Sequence, residues 1–129
     1  MKSIPKQMIQ MYNIRTFDFM GYTFKKESEL SYHHLIIPKR QHGEISIDNG
    51  AILVRDTSHD YLHRIEQVDR EVFLLISQQM IEENIKGKLD RENLKRIKDL
   101  LLYFEKEYSG ATLKNGQPLI KSKYITRRI

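Results

Sequence analysis

With 129 residues, 40% of them hydrophobic and 30% charged, the chain is bounded to a single domain with a modest core, and its composition fits a soluble globular protein better than a disordered one. It has no cysteine, which excludes a disulfide framework and fits a reducing interior. No apolar run approaches the roughly 20 residues of a membrane span, and residues 1–10 lack the apolar centre of a signal peptide, so a cytoplasmic protein without membrane contact is expected.

The net charge of +5 is moderate, so its placement matters more than its size. Lys114, Lys121, Lys123, Arg127 and Arg128 lie in a tail, residues 111–129, that has no acid and equals the whole excess. Such a segment suits sequence-independent phosphate contacts, or simply solubility.

Taken in order, Phe17, Phe19, Tyr22 and Phe24 alternate over residues 16–25, with Gly21 as a bulge or turn. The pattern predicts an N-terminal strand or hairpin with one buried aromatic face.

All five histidines then fall between residues 32 and 64. His33-His34 opens an apolar run, Leu35-Ile36-Ile37, that stops at Pro38; a loop with His42 and Gly43 follows. The turn dipeptide Asn49-Gly50 leads into a second apolar run, Ala51-Ile52-Leu53-Val54. A helical segment with His59 and His63 comes next, with Asp56 or Ser58 as its expected N-cap.

Histidines four residues apart share one helix face, whereas adjacent strand residues point to opposite sides. The spacing therefore suggests a division of labour. One of the pair His33-His34 joins His59 and His63 on a metal, and the other stays free to accept a proton. Three imidazoles plus water make an open zinc site. Asp56 and Asp60 could orient a ligand ring, add an oxygen, or be ordinary helix-start charges. Lys39, Arg40, Arg55 and Arg64 are the cations placed to touch a substrate phosphate.

Ile65, Val68, Val72, Phe73, Ile76, Met80 and Ile85 predict a helix stopping at Gly87, with a break near Asp69 left open. Asp90 caps a second helix, striped by Leu94, Ile97, Leu101, Phe104 and Tyr108 and closed by Gly110. The short link makes an antiparallel helical hairpin, which could cover the strands or form a homodimer surface. In the tail, Asn115-Gly116 predicts a β-hairpin, weakened by Pro118.

The order His33-His34, Pro38, Gly43, Asn49, Leu53, His59, His63 resembles the HNH nucleases of the ββα-metal class, and the histidine set is most similar to the nuclease colicins. The resemblance covers residues 31–65. It implies that His34 is the general base, that His33, His59 and His63 bind one divalent metal, and that Asn49 braces the loop and helps align the base. Zinc is the first choice of metal, with nickel, manganese or magnesium as alternatives. Departures exist: one glycine stands where many relatives have two, an extra residue precedes His59, and the auxiliary CxxC pair of some relatives is absent.

The expectation is thus a single α+β domain: an N-terminal strand or hairpin region, a ββα-metal centre over residues 31–65, a helical hairpin over residues 66–109 and a basic tail. Its expected activity is metal-dependent hydrolysis of DNA, double-stranded by preference. The alternative is a non-catalytic nucleic-acid-binding or partner-binding protein with a structural zinc.

Overall fold

The structure, a computed structural model, describes residues 3–35 and 45–129. The chain begins with a helix to which the sequence reading assigned no element, α1 (Ile4–Met11). The Ser3 hydroxyl caps it by accepting from Lys6 N, and Pro5 sits in the first turn, where its missing N–H costs nothing. Asn13, at φ 53°, turns the chain out of the helix.

The expected N-terminal hairpin contracts to a single bridge, Phe17 to Thr23, closed around a tight turn. Asp18 is the cause. Its Oδ1 accepts from Met20 N at 2.8 Å and Tyr22 N at 2.9 Å, so the backbone bonds to a side chain instead of a ladder. Phe19 and Tyr22 are buried as expected.

Two antiparallel strands follow, β1 (Leu30–His34) and β2 (Gly50–Val54), paired from Leu30 with Val54 to His34 with Gly50. The histidine pair occupies the last two positions of β1, directly before the apolar run. Leu35 is the one residue of that run among the described ones, and its N–H donates to Asn49 O at 2.7 Å, continuing the pairing one step. Every residue of β2 is buried, as an unalternating apolar run requires. Gly50 is obligatory here, because a Cβ would sit 2.1 Å from the Tyr32 ring, which is pinned by its hydroxyl to Ser46 O at 2.7 Å.

Beyond β2 the chain makes a wide π turn, Arg55–His59, and runs straight into α2 (Asp60–Val68). Neither expected N-cap is used. Ser58 is buried and bonded to Asp18 and Val54 N, and Asp56 is exposed.

The helix does break at Asp69, which leaves helical geometry at φ −144° and caps α3 (Arg70–Lys86) by accepting from Val72 N. Gly87, in the left-handed region at φ 71°, ends α3. Asp90 caps α4 (Arg91–Glu107), completing the antiparallel hairpin. The core lies between β2 and these helices: Ile52, Leu53, Leu62, Ile65, Ile76, Met80, Ile97, Leu101 and Phe104 are each 0% exposed. Burying each such side chain stabilises by about 1.5–3 kcal/mol before entropy is subtracted.

The C-terminal segment is part of the fold. Its hairpin reduces to one bridge, Thr112 to Pro118, and a short helix follows, α5 (Lys123–Thr126). Arg128 grips the Glu105 carboxylate with both terminal nitrogens at 2.6 Å, and Tyr61 OH donates to the same carboxylate at 2.9 Å. Ile129 N reaches Gly21 O at 2.8 Å. Among the described residues no helix is long and apolar enough to cross a membrane.

Candidate metal centre

Three imidazoles from three separate pieces of structure meet beside the sheet. His33 comes from β1, His59 from the last position of the π turn and His63 from α2. Their ring centroids are 5.1 Å (His33 to His59), 5.2 Å (His33 to His63) and 4.9 Å (His59 to His63) apart. One ligand atom from each lies within 4.8 Å of the other two. The i, i+4 spacing of His59 and His63 stacks their rings, and the strand carries His33 to them.

What fixes the π turn is Asp18. Its Oδ2 accepts from Val54 N at 2.8 Å and from the Ser58 hydroxyl, tying the turn that carries His59 to the end of β2. A fully buried carboxylate with four donors is a rigid anchor. Burial pushes its pKa up to about 6 even though all four donors pull it down.

The hydrogen-bond partners set which ring nitrogen faces inward. Ser31 Oγ lies 3.1 Å from Leu53 O and 2.6 Å from His59 Nδ1. The carbonyl can only accept, so it takes the hydroxyl proton; His59 Nδ1 must then be the protonated nitrogen and donate to Oγ. That leaves the Nε2 lone pair of His59 for a ligand. His63 Nδ1 lies 3.6 Å from Glu66 Oε1, which likewise favours Nε2 as its inward atom. His33 Nε2 is buried and has no hydrogen-bond partner.

Burial pushes the His33 pKa down to about 3, with His59, His63 and His34 adding to the effect. Burial likewise brings His59 to about 4, helped by His63 and Arg55 and opposed by Asp60. Both rings are therefore neutral near pH 7, the form that offers a lone pair to a metal. A set of imidazole nitrogens with a buried orphan among them fits zinc or another transition ion better than magnesium, which prefers oxygen.

The trio is closed on one side and open on the other. His33 is 5% exposed, whereas the His63 side chain is 52% exposed. Among the described residues no fourth histidine or carboxylate joins the group. His34 ends β1 on the opposite face, its ring edge-on to Tyr32 at 4.9 Å, and its Nε2 is also buried without a partner.

Other expected residues are placed elsewhere. Asp60 takes a hydrogen bond from the Tyr124 hydroxyl and lies 3.7 Å from Arg64 Nε and 3.9 Å from Lys121 Nζ, so it serves the C-terminal segment and adds no oxygen to the trio. Arg64 donates to Pro118 O at 3.1 Å and Leu119 O at 3.0 Å, with its guanidinium over the Tyr124 ring. Arg55 bridges Ser28 O and Leu30 O at 3.3 and 3.2 Å while remaining exposed beside His59. Asn49 is buried just before β2, with its main-chain N–H on Ser46 Oγ at 3.2 Å and its main-chain carbonyl on Leu35 N. Pro38, Lys39, Arg40, His42 and Gly43 lie outside the described residues.

Sequence reasoning missed Ser31, Glu66 and Asp18. The first two carried a signal: Ser31 precedes His33 by two on the same strand face, and Glu66 follows His63 by three on the same helix face. Asp18 carried none. Comparison with family models, with curated proteins and with solved structures finds no match for this chain.

Proposed function

We propose that the protein is a metal-dependent endonuclease of the ββα-metal, HNH-like type that hydrolyses phosphodiester bonds in DNA. The observation that carries this reading is the convergence of His33, His59 and His63, with their fourth side open to solvent at His63. A divalent ion held there supplies Lewis acidity toward the scissile phosphate and the leaving oxygen. Zinc suits the donor set best, with nickel or manganese as substitutes and magnesium the poorest match.

The chain's own residues have separable tasks. His33 Nε2 and the inward nitrogens of His59 and His63 hold the ion, and Ser31 and Asp18 keep His59 aimed. We assign the proton of the attacking water to His34, a role that requires its buried, unpartnered Nε2 to become accessible when substrate binds. Asn49 holds the end of β1 against the start of β2, which fixes where that base sits. Arg55, exposed beside His59, meets the phosphate backbone; Lys39 and Arg40, the other cations expected to do so, lie outside the described residues. The competing reading, a structural zinc in a non-catalytic protein, calls for a fourth protein ligand. Of the candidates for that place, His34 and Asp60 do not join the trio and His42 lies outside the described residues.

The test is plasmid nicking by metal-stripped protein re-supplied with zinc, nickel, manganese or magnesium in turn. Nicking that returns with metal and is absent in His34→Ala supports the proposal. A wild-type protein that binds metal and DNA but leaves every plasmid intact would establish the structural-zinc reading.

A further inference from the structure

Each of the two candidate ligands at the start of α2 is followed directly by a residue tied to the C-terminal segment. Asp60, after His59, accepts from the Tyr124 hydroxyl and has Lys121 Nζ at 3.9 Å. Arg64, after His63, donates to Pro118 O at 3.1 Å and Leu119 O at 3.0 Å. Asp60 and Arg64 also face each other at 3.7 Å, one turn apart. Successive residues of a helix stand about 100° apart around its axis. The start of α2 thus presents three adjacent faces: His59 and His63 toward the candidate ion, Asp60 and Arg64 toward the C-terminal segment, and Tyr61, Leu62 and Ile65, each 0% exposed, toward the core.

The segment is itself held from behind. Tyr124 is buried, with its ring stacked on Tyr61 at 4.4 Å and its carbonyl accepting from the Tyr22 hydroxyl. Thr23 N donates to Arg127 O at 2.7 Å, Ile129 N to Gly21 O at 2.8 Å, and Arg128 to the Glu105 carboxylate of α4 at 2.6 Å. These anchors tie the rotation of α2 to the N-terminal turn and to α4, which carry no ligand. Such a tie matters because no side chain caps α2, the chain entering it from the π turn. A ring nitrogen stands about 5 Å from the helix axis, so a rotation of about 6° moves it by about 0.5 Å. That is the whole tolerance of a preorganised site.

We infer that Tyr124 is a positioning residue for the metal centre: through Asp60 it sets the rotation of α2, and hence the convergence of His59 and His63 on His33. The inference rests on the metal-centre reading and is independent of whether the site cuts DNA. Coupling of this kind is reciprocal. Zinc held by His59 and His63 fixes α2, and the C-terminal segment docks more firmly on a fixed α2.

Tyr124→Phe isolates the contact, since it removes one hydroxyl, keeps a ring on Tyr61 and changes no charge near the ion. Two measurements on the full chain test the coupling. One is zinc affinity by competition with a chelator; the other is hydrogen exchange, with and without zinc, at the Thr126, Arg127 and Ile129 amides, which are bonded to Ser122 O, Lys123 O and Gly21 O. Tyr124→Phe should weaken zinc about 5- to 10-fold. Arg64→Ala, which breaks the second tether, should weaken it at least as much. In the wild type zinc should slow exchange at those amides, by a factor that shrinks in Tyr124→Phe. A purely structural Tyr124 would lower the urea midpoint of the metal-free protein and leave zinc affinity where it was. That result, or exchange at the three amides indifferent to zinc, overturns the inference. A wild type that takes up no zinc overturns the metal centre itself, and this coupling with it.

Discussion

Asp18 and His33 are two buried polar groups at the same small sheet, and they are completed differently. Asp18 receives four hydrogen bonds, from Met20, Tyr22, Val54 and Ser58, so every lone-pair direction that matters is filled from within the chain. His33 leaves its Nε2 without a partner. The first is an anchor that needs nothing else, and the second is a donor whose partner must come from outside. Burial alone does not separate structural from functional groups; completeness does.

Glu83 limits that lesson usefully. It is 0% exposed with both carboxylate oxygens unpartnered, and burial drives its pKa well above the usual range, with Asp18 and Asp90 reinforcing it. Yet among the described residues it joins no group of three or more side chains that could hold a metal, so its burial alone does not make it a metal site. A lone orphan is a stability cost; three convergent imidazoles are a site.

The contrast can be broken at either end. The largest effect expected is on catalysis: His34→Ala should lower the nicking rate by about 10²- to 10⁴-fold while metal content stays at the wild-type level. Loss of metal in that variant, read by atomic emission, would contradict the separation of base from ligands. Next comes the anchor. Asp18→Asn replaces one acceptor oxygen with a donor facing Val54 N–H and Ser58, and leaving buried donors unpaired costs about 1–3 kcal/mol each. Urea unfolding should show it in the metal-free protein, where a catalytic role for Asp18 would leave the midpoint unmoved.

Ser31→Ala should weaken metal affinity about 10- to 100-fold by freeing the His59 tautomer. The stability of the metal-free form should change far less than in Asp18→Asn. Unaltered affinity in a competition with a chelator would remove Ser31 from the site.

The pH dependence has opposite signs in the two centres. His33 and His59 bind fewer protons folded than unfolded, so their contribution is intact above about pH 6.5. It drains as pH falls toward their folded values of about 3 and 4. Asp18 is raised, so its contribution is complete below its ordinary value of 3.8 and is lost as pH rises through about 6. Metal-stripped His33→Gln should therefore lose less stability than wild type between pH 6.5 and 4; parallel curves would refute the buried, neutral ring. The smallest effect is at Glu83. Glu83→Gln should gain about 1 kcal/mol at pH 7, with the gain shrinking below pH 4.5, where the acid is protonated folded or unfolded.

Local chemistry was legible in the sequence, and long-range chemistry was not. The spacing of His59 and His63, the opposed faces of His33 and His34, the stop at Gly87 and the cap at Asp90 all depend on neighbours within a few residues, and the structure has each of them. The wide turn before α2 was missed because Ser58 is held by a residue 40 positions earlier, and no period in the sequence announces that bond. Within the tail, Arg128 reads in the sequence as one more cation, yet it is bound to Glu105, 23 positions back. Val68 and Ile85 fell on the apolar stripe but are 42% and 79% exposed, since a helix that is apolar on both sides gives no clue which one faces the core.

Calorimetric titration of zinc into metal-stripped protein tests the metal centre most directly. One ion per chain is expected, with binding lost in His33→Ala and His63→Ala and retained in His34→Ala. No heat of binding, or a stoichiometry and affinity unchanged by His33→Ala and His63→Ala, would contradict the assignment.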